Sequence, residues 1–304
     1  MRQFNRVWLL VVMGLVLFSI GLHALRWQLL LKPLQSVPLP VLFEAIILGR
    51  FTNLILPLNV GSLVQAYRIK QRYNLSLFTT MGTLTAEGII GSFVLWAFSL
   101  GVLLNVPLPT ELAAIRQQIW LGLGIITLGL ILILLILFST QRSMTDPYEA
   151  FPWLNQFVSP ARQRTLSAYW QRFRQGLSAG RNWRETALIL FYSLGIRLNF
   201  GLAVLCIARG FGVELPYLTY LFLDILVSLV HIIGSHVFGL IGTLEATLTY
   251  ALSLYGIPKE TGLGIALMLD AAFILPVATL GLIFFWRSDL TWQTVIKLRK
   301  QRSA

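Results

Sequence analysis

Hydrophobic residues fill this chain in long uninterrupted runs, and the polar residues inside them fall in clusters. Five runs, 6–31, 77–105, 119–138, 186–208 and 263–286, each reach the roughly 20 residues that a helix needs to cross the hydrocarbon core. Two further regions are apolar but interrupted. The first, 38–73, reads as an apolar helix to about Leu56, then Pro57, Asn59 and Gly61, then a shorter amphipathic piece. The second, 216–256, runs LTYLFLDILVSLVHII, breaks at GSHVFGLIG and restarts as TLEATLTYALSLYG. Proline and glycine punctuate helices because one lacks the N–H and the other lacks a restraining side chain. The pattern predicts an all-α, polytopic integral membrane protein with six to eight transmembrane helices and two broken or re-entrant regions. If the first region crosses once and both halves of the second cross, there are eight crossings. A re-entrant second region gives six.

The interrupted regions resemble each other. A shift of 181 residues sets Gly61 on Gly242, Ser62 on Thr243 and Leu63 on Leu244, and brings Glu87 within two positions of Asp270. Duplication and chance likeness both stay open on this identity; as a repeat, the halves are 1–117 and 185–290 of a single transmembrane domain, 1–304. Doubling with discontinuous helices is common in transporters, where the site lies between the repeats. Between the halves lies a basic connector, 141–184. In it Leu166, Tyr169, Trp170, Phe173 and Leu177 recur at helical spacing among arginines. That pattern suits either an interfacial helix on anionic lipid or an ordinary charged connector.

Composition agrees: 56% of the 304 residues are hydrophobic and only 12% charged, against roughly 25% charged in soluble domains. No soluble domain is expected, and the first helix, too long for a signal peptide, is expected to stay uncleaved. Cys206 is the only cysteine, which excludes intrachain disulfides and cysteine metal clusters. The net charge of +12 follows topology. Arg2, Arg6, Arg68, Lys70, Arg72, the connector arginines and the basic residues from Arg287 onward share one side. Lys32, Arg116, Arg209 and Lys259 hold the other. The positive-inside rule makes the richer side cytoplasmic, which predicts a cell (inner) membrane protein with both termini cytoplasmic and an even number of crossings. A juxtamembrane basic belt explains the charge, so anionic membrane lipids are the expected partners and no nucleic acid is expected.

Charges at membrane depth cost a few kcal/mol each or more, so their positions are informative. The acids are Glu44, Glu87, Asp224, Glu245 and Asp270; the bases are Arg26, Arg50 and Arg197, with His23, His231 and His236 as candidate partners. Arg50, Asn53 and Pro57 share one helix face. Asp224, Ser228, His231 and Ser235 form a polar stripe leading to the second break, which His236 and Glu245 flank. Arg26, near the end of its helix, is expected to snorkel to the interface, and His23 to be a packing residue. Structural ion pairs are the plain alternative for Glu87, Arg197 and Asp270.

The run GRFTNLILPLNVGSLVQAYRIKQRYNLSLFTTMGTLTAEGIIG resembles the first signature of the lysylphosphatidylglycerol-synthase transmembrane domain, a flippase-like family. Its glycine, asparagine, leucine-proline, glycine and arginine fall on Gly49, Asn53, Leu56-Pro57, Gly61 and Arg68. The run HVFGLIGTLEATLTYALSLYGIPKETGLGIALMLDAAFILP resembles the second, with Gly239, Gly242 and Glu245 in place. The likeness spans essentially the whole chain. There are departures: Ser62 stands where the family usually has glutamate, Gly88 where an arginine commonly follows Glu87, and Asp270 near an expected arginine. No proline opens the second break. These departures imply a divergent substrate or lost transport, and without an aminoacyl-transferase domain no lipid aminoacylation carries over.

The expected function is binding or translocating a phospholipid or lipid-linked head group in a polar cavity where the two breaks face each other. The candidate lining is Arg50, Asn53, Pro57, Gly61, Arg68, Glu87, Arg197, Asp224, His231, His236, Gly239, Gly242, Glu245 and Asp270. No catalytic residue, metal or cofactor is expected. No G-x-x-x-x-G-K-[ST] loop occurs, so pumping would use a gradient or a partner. The alternatives are an integral-membrane enzyme acting on lipid-linked phosphates or sugars, and a lipid-binding accessory subunit.

Overall fold

The computed structural model describes residues 6–56, 60–73, 75–107, 183–237 and 242–288, with isolated positions between 120 and 171; for 231–237 only the backbone is described. Apart from those isolated positions, the run 119–138 and the connector 141–182 lie outside this set, as do Pro57, Gly239 and the basic tail. The named elements are all helices: α1 (Arg6–Leu31), α2 (Leu39–Ile55), α3 (Gly61–Tyr73), α4 (Leu77–Asn105), α5 (Trp183–Gly210), α6 (Tyr217–Val237), α7 (Thr243–Leu254) and α8 (Lys259–Arg287). Four of them, α1, α4, α5 and α8, are long and apolar enough to cross a membrane.

Local chemistry sets the boundaries. Leu56 precedes a proline, which disfavours the α region; it is extended at φ −113°, and its N–H donates to Thr52 O to close α2. Ser76 caps α4 by accepting from the Thr79 N–H, satisfying a donor that the first turn leaves free. Gly242 sits at the N-cap of α7 with φ +91°, a left-handed conformation that favours glycine. Helix α6 runs on to Val237, further into the second interruption than the glycine at 234 suggested.

The direction of each helix follows from its contacts. Helix α5 is antiparallel to α1: Lys32 Nζ donates to Glu185 Oε1 (2.7 Å), Arg26 Nη1 to Ser193 Oγ (2.9 Å) and Asn199 Nδ2 to Leu15 O (3.0 Å). Helix α4 is also antiparallel to α1, with Trp27 Nε1 donating to Thr83 Oγ1 (3.0 Å) and Arg26 to Glu87. Leu77 therefore lies beside the end of α1 from which Lys32 departs. The intervening α2 and α3 leave that end and return to it. They form an antiparallel hairpin, in which Glu44 meets Arg68, and Asn53, later in α2, meets Gly61, earlier in α3. At 17 and 13 residues, the two helices are about 25 and 20 Å long.

The second interruption is built the same way from the opposite end. Helix α6 starts near the end of α5 and runs antiparallel to it, with Arg197 against Asp224 and Gly201 against Leu221. Tyr255, just after α7, donates its hydroxyl to Pro107 O (3.2 Å), beyond the end of α4. So α6 and α7 leave and return to the Asn105 end. Helix α8 starts there, with Gly264 against the Phe211 ring, and runs antiparallel to α5, the Phe200 and Phe273 rings lying 6.0 Å apart. Crossing, hairpin, crossing is thus the order in both halves, with opposite sense. The last crossings, α4 and α8, have 29 residues each.

This geometry corrects the topology read from the charges. The first interrupted region is a hairpin and does not cross once, so Arg68, Lys70 and Arg72 lie toward the Lys32 end, away from Arg6. Helices α1 and α8 run in the same direction, so Arg6 and Arg287 lie at opposite ends of the bundle. Both termini on one side, with an even number of crossings, does not fit these described ends.

Helix α1 is the centre of the packing, touching α5, α8, α2 and α4. Val12, Val16, Ile20, Ala24, Trp27, Leu30 and Leu31 are buried along it. The other faces carry exposed apolar side chains such as Leu10, Phe18, Leu104 and Phe191. A bilayer would cover these, because lipid tails accept apolar surface as readily as a core does.

Candidate functional site: buried charges around two opposed hairpins

Among the described residues, three arginine–carboxylate pairs sit inside the bundle. In the first, Arg26 Nη2 and Nε donate to Glu87 Oε1 (2.6 and 3.2 Å), while Arg26 Nη1 donates to Ser193 Oγ. His23 Nδ1 lies 3.2 Å from the same carboxylate oxygen and 3.3 Å from Arg26 Nη2, so its tautomer decides whether it donates to one or accepts from the other. Helices α1, α4 and α5 are tied together here. Arg26 is buried; it does not snorkel as the sequence suggested, because a carboxylate waits one helix away. His23 is likewise more than packing.

The second pair belongs to the first hairpin. Arg68 Nε and Nη2 donate to Glu44 Oε1 (3.0 and 2.6 Å), and Arg72 Nη1 lies 3.5 Å from Glu44 Oε2. Arg68 is buried and consumed by this clamp, so it is not open to a head group. Toward the break, Asn53 Oδ1 accepts the Gly61 N–H (2.7 Å), satisfying a donor at the start of α3. Gly61 lies directly on the Gly49 carbonyl, and Gln65 fills the space over Gly49. Both glycines are needed because the two backbones touch. Asn53 and Gly61 thus hold the hairpin shut at its break.

The third pair joins α5 to α6. Arg197 Nη1 donates to Ser228 Oγ (2.7 Å) and lies 3.3 Å from Asp224 Oδ1. The polar stripe read from the sequence is real over Asp224 and Ser228. The side chains of His231 and His236 lie outside the described residues, as do Pro57 and Gly239. In the second hairpin Glu245 on α7 and Asp270 on α8 are neighbours. Glu245 Oε2 is buried without a partner among the described residues.

Arg50 stands apart. No hydrogen bond or ion pair reaches it among the described residues, yet Glu87, Arg26 and His23 all act on it electrostatically. The structure therefore brings Arg50 and Glu87 into one group with His23, Arg26 and Ser193, and Glu245 with Asp270 into another. The two groups are not contiguous. Asp270 precedes Gly281 by eleven residues on α8, and Gly281 touches Phe51, so about 16 Å of helix lies between Asp270 and the α8 contact with the residue after Arg50. Sequence reasoning missed Ser193 and undervalued His23 and Arg26. The three-residue step from His23 to Arg26, which puts both on one face, was the available signal.

Neither the search of curated proteins nor that of solved structures finds a match. The family described as Lysylphosphatidylglycerol synthase TM region matches residues 1–281. That is nearly the whole chain, including both hairpins and the buried ion pairs, and the protein belongs to this family of multi-pass membrane proteins.

Proposed function

We propose that this protein binds a phospholipid or lipid-linked head group within the bilayer and moves it between leaflets, without making or breaking a bond. The carrying observation is the pair of helical hairpins entering from opposite ends, each with charged side chains buried against it. Irregular backbone and ionisable groups at membrane depth are tolerated where protein buries them or water reaches them. An amphiphile needs such a polar path for its head while its tails stay in lipid. Family membership supports a lipid-related role.

The Lys32 end is assigned to the cytoplasm of a cell's inner membrane. Among the described residues, Lys32, Arg68, Lys70, Arg72, Arg184 and Arg287 lie toward it, against Arg6, Arg209 and Lys259 at the other, in the sense of the positive-inside rule. The test is reconstitution into liposomes carrying fluorescent head-group-labelled phospholipid, followed by bleaching with an impermeant reductant. The parent is expected to expose inner-leaflet label, and Glu245→Gln and Arg50→Ala to lose that activity. Vesicles that behave like protein-free ones refute translocation, and release of a cleaved head group identifies an enzyme instead.

A further inference from the structure

Among the described helices, α8 alone carries a proline beyond its first turn, Pro276. A proline inside a helix has no N–H for the carbonyl four residues back, here Ala272 O, and its ring pushes against that carbonyl. Just beyond it, the Thr279 hydroxyl donates to Leu275 O (2.7 Å), a back-bond that loosens and bends helices. Two weakened positions thus fall within one turn of a 29-residue helix. That turn divides α8 by what it touches. Before it, Gly262 lies on the backbone of Thr249 in α7, Gly264 on the Phe211 ring, and Phe273 beside Phe200 of α5. After it, Gly281 lies on Phe51 of α2, whose ring is 6.4 Å from that of Phe285. Phe284 and Phe285 pack on Leu48, Val60 and Val64 of the first hairpin. That hairpin is one piece, because the Glu44–Arg68 pair and the Asn53–Gly61 bond close within it. Its base is fixed to α1, where Gln28 Nε2 donates to Val37 O (2.8 Å). Beyond the base, Leu42, Ala45 and Ile46 share an apolar core with α1, a contact that can slide without stranding a polar group.

We propose that Pro276 is a hinge, and that the last part of α8 swings about it, carrying the first hairpin relative to α5 and the second hairpin. Hinges are a few positions that absorb a backbone change while packed elements on either side stay intact. Here the one helix bond that a swing would strain most is the one the proline has already removed. At about 1.5 Å per residue, roughly 16 Å of helix lies beyond Pro276, and a bend of about 20° moves its end by about 6 Å. Gly281 passes that displacement to the hairpin, because Phe51 sits directly on the α8 backbone with no side chain between to yield. The hinge goes beyond the translocation reading and rests on it only for the use of the motion, which shifts two hairpins from opposite ends against each other.

The experiment measures spin-label distances by double electron–electron resonance on the full chain in nanodiscs, in a Cys206→Ser background. One label replaces Leu54, exposed near the break in the first hairpin; the second replaces Leu202 on α5 or Tyr250 on α7, both exposed. Labels at Leu188 and Leu202, both on α5, form the rigid control. At least one Leu54 pair in the parent is expected to show distances spread over about 6 Å, the travel worked out above. Pro276→Ala, which restores the N–H, collapses the spread to one narrow peak, and the control stays narrow in both proteins. Thr279→Val removes the back-bond alone and narrows the spread in part. A single narrow distance for both Leu54 pairs in the parent overturns the proposal. So does a spread that Pro276→Ala leaves unchanged, or a control pair that broadens as much. The melting temperature of Pro276→Ala is expected at or above the parent's, since alanine favours a helix interior far more than proline does. A drop of several degrees makes Pro276 a packing residue and sinks the hinge. Spread distances in a parent that moves no lipid label support the hinge and refute translocation alone.

Discussion

Replacing Glu87 by glutamine tests whether the buried pairs hold the bundle together. The Arg26–Glu87 contact is 2.6 Å, with side chains 7% and 13% exposed. Breaking a buried pair costs about 3–5 kcal/mol, because the abandoned charge stays buried. Glu87→Gln falls in the upper half of that range, since Arg26 would then face Arg50 with no carboxylate between them. Arg26→Gln costs less, because Glu87 keeps His23 and can turn to Arg50. The double variant loses less than the sum of the two, and the difference measures the coupling. Lys32→Gln is the comparison: its partner Glu185 is part of an exposed pair, with the lysine 61% exposed, and such pairs contribute up to ~1 kcal/mol. Denaturant unfolding in mixed micelles, with the parent and the four variants in one lipid-to-detergent ratio, reads these energies. Glu87→Gln unfolding together with the parent would refute the reasoning, as would strict additivity in the cycle.

Three further outcomes follow from the hairpins and their placement. Gly61→Ala lowers the melting temperature, because overpacking against the Gly49 carbonyl costs about 1–3 kcal/mol and exceeds the helix-propensity gain of up to ~1 kcal/mol; Gly101→Ala, with nothing within 4 Å of the added methyl, does not. Asn53→Leu leaves the Gly61 N–H without its acceptor and costs about 1–3 kcal/mol, read as a lower melting temperature; melting together with the parent excludes the cap. In a Cys206→Ser background, cysteines placed at Lys259 and Arg287 react with an impermeant maleimide from opposite faces of sealed vesicles, and those at Arg72 and Arg287 from the same face. Labelling of 259 and 287 from one face would overturn the helix directions.

Much of the fold was legible because lipid imposes a simple rule. The runs 6–31 and 77–105 are α1 and α4 to the residue, since nothing but an apolar helix satisfies its own backbone over that length. Both interruptions were also visible, in Pro57 with Gly61 and in Gly242. What was not legible is whether a broken helix continues or turns back. The local signal is identical in the two cases. The decision rests on non-local contacts: Glu44 with Arg68, Gly49 against Gly61, Asn53 on the Gly61 N–H. The same limit applied to the charges. Arg26 near a helix end reads as snorkelling until Glu87 and Ser193, on two other helices, are placed beside it.

The topology error shows why charge counting did not reveal the hairpin. The positive-inside rule compares totals on two sides, and Arg68, Lys70 and Arg72 move as a block with the reading of one break. Putting them with Arg6 requires the first region to cross; putting them with Lys32 requires it to return. Either choice leaves one side richer in base, so the rule is satisfied twice. The ion pairs inside the bundle break the tie, since each has to be closed by a partner at the same depth. Glu44 is reached by Arg68 and Arg72 only if α3 folds back along α2, and Glu87 is reached by Arg26 only if α4 starts beside the end of α1. Once those closures are made, α2 and α3 have no freedom to span.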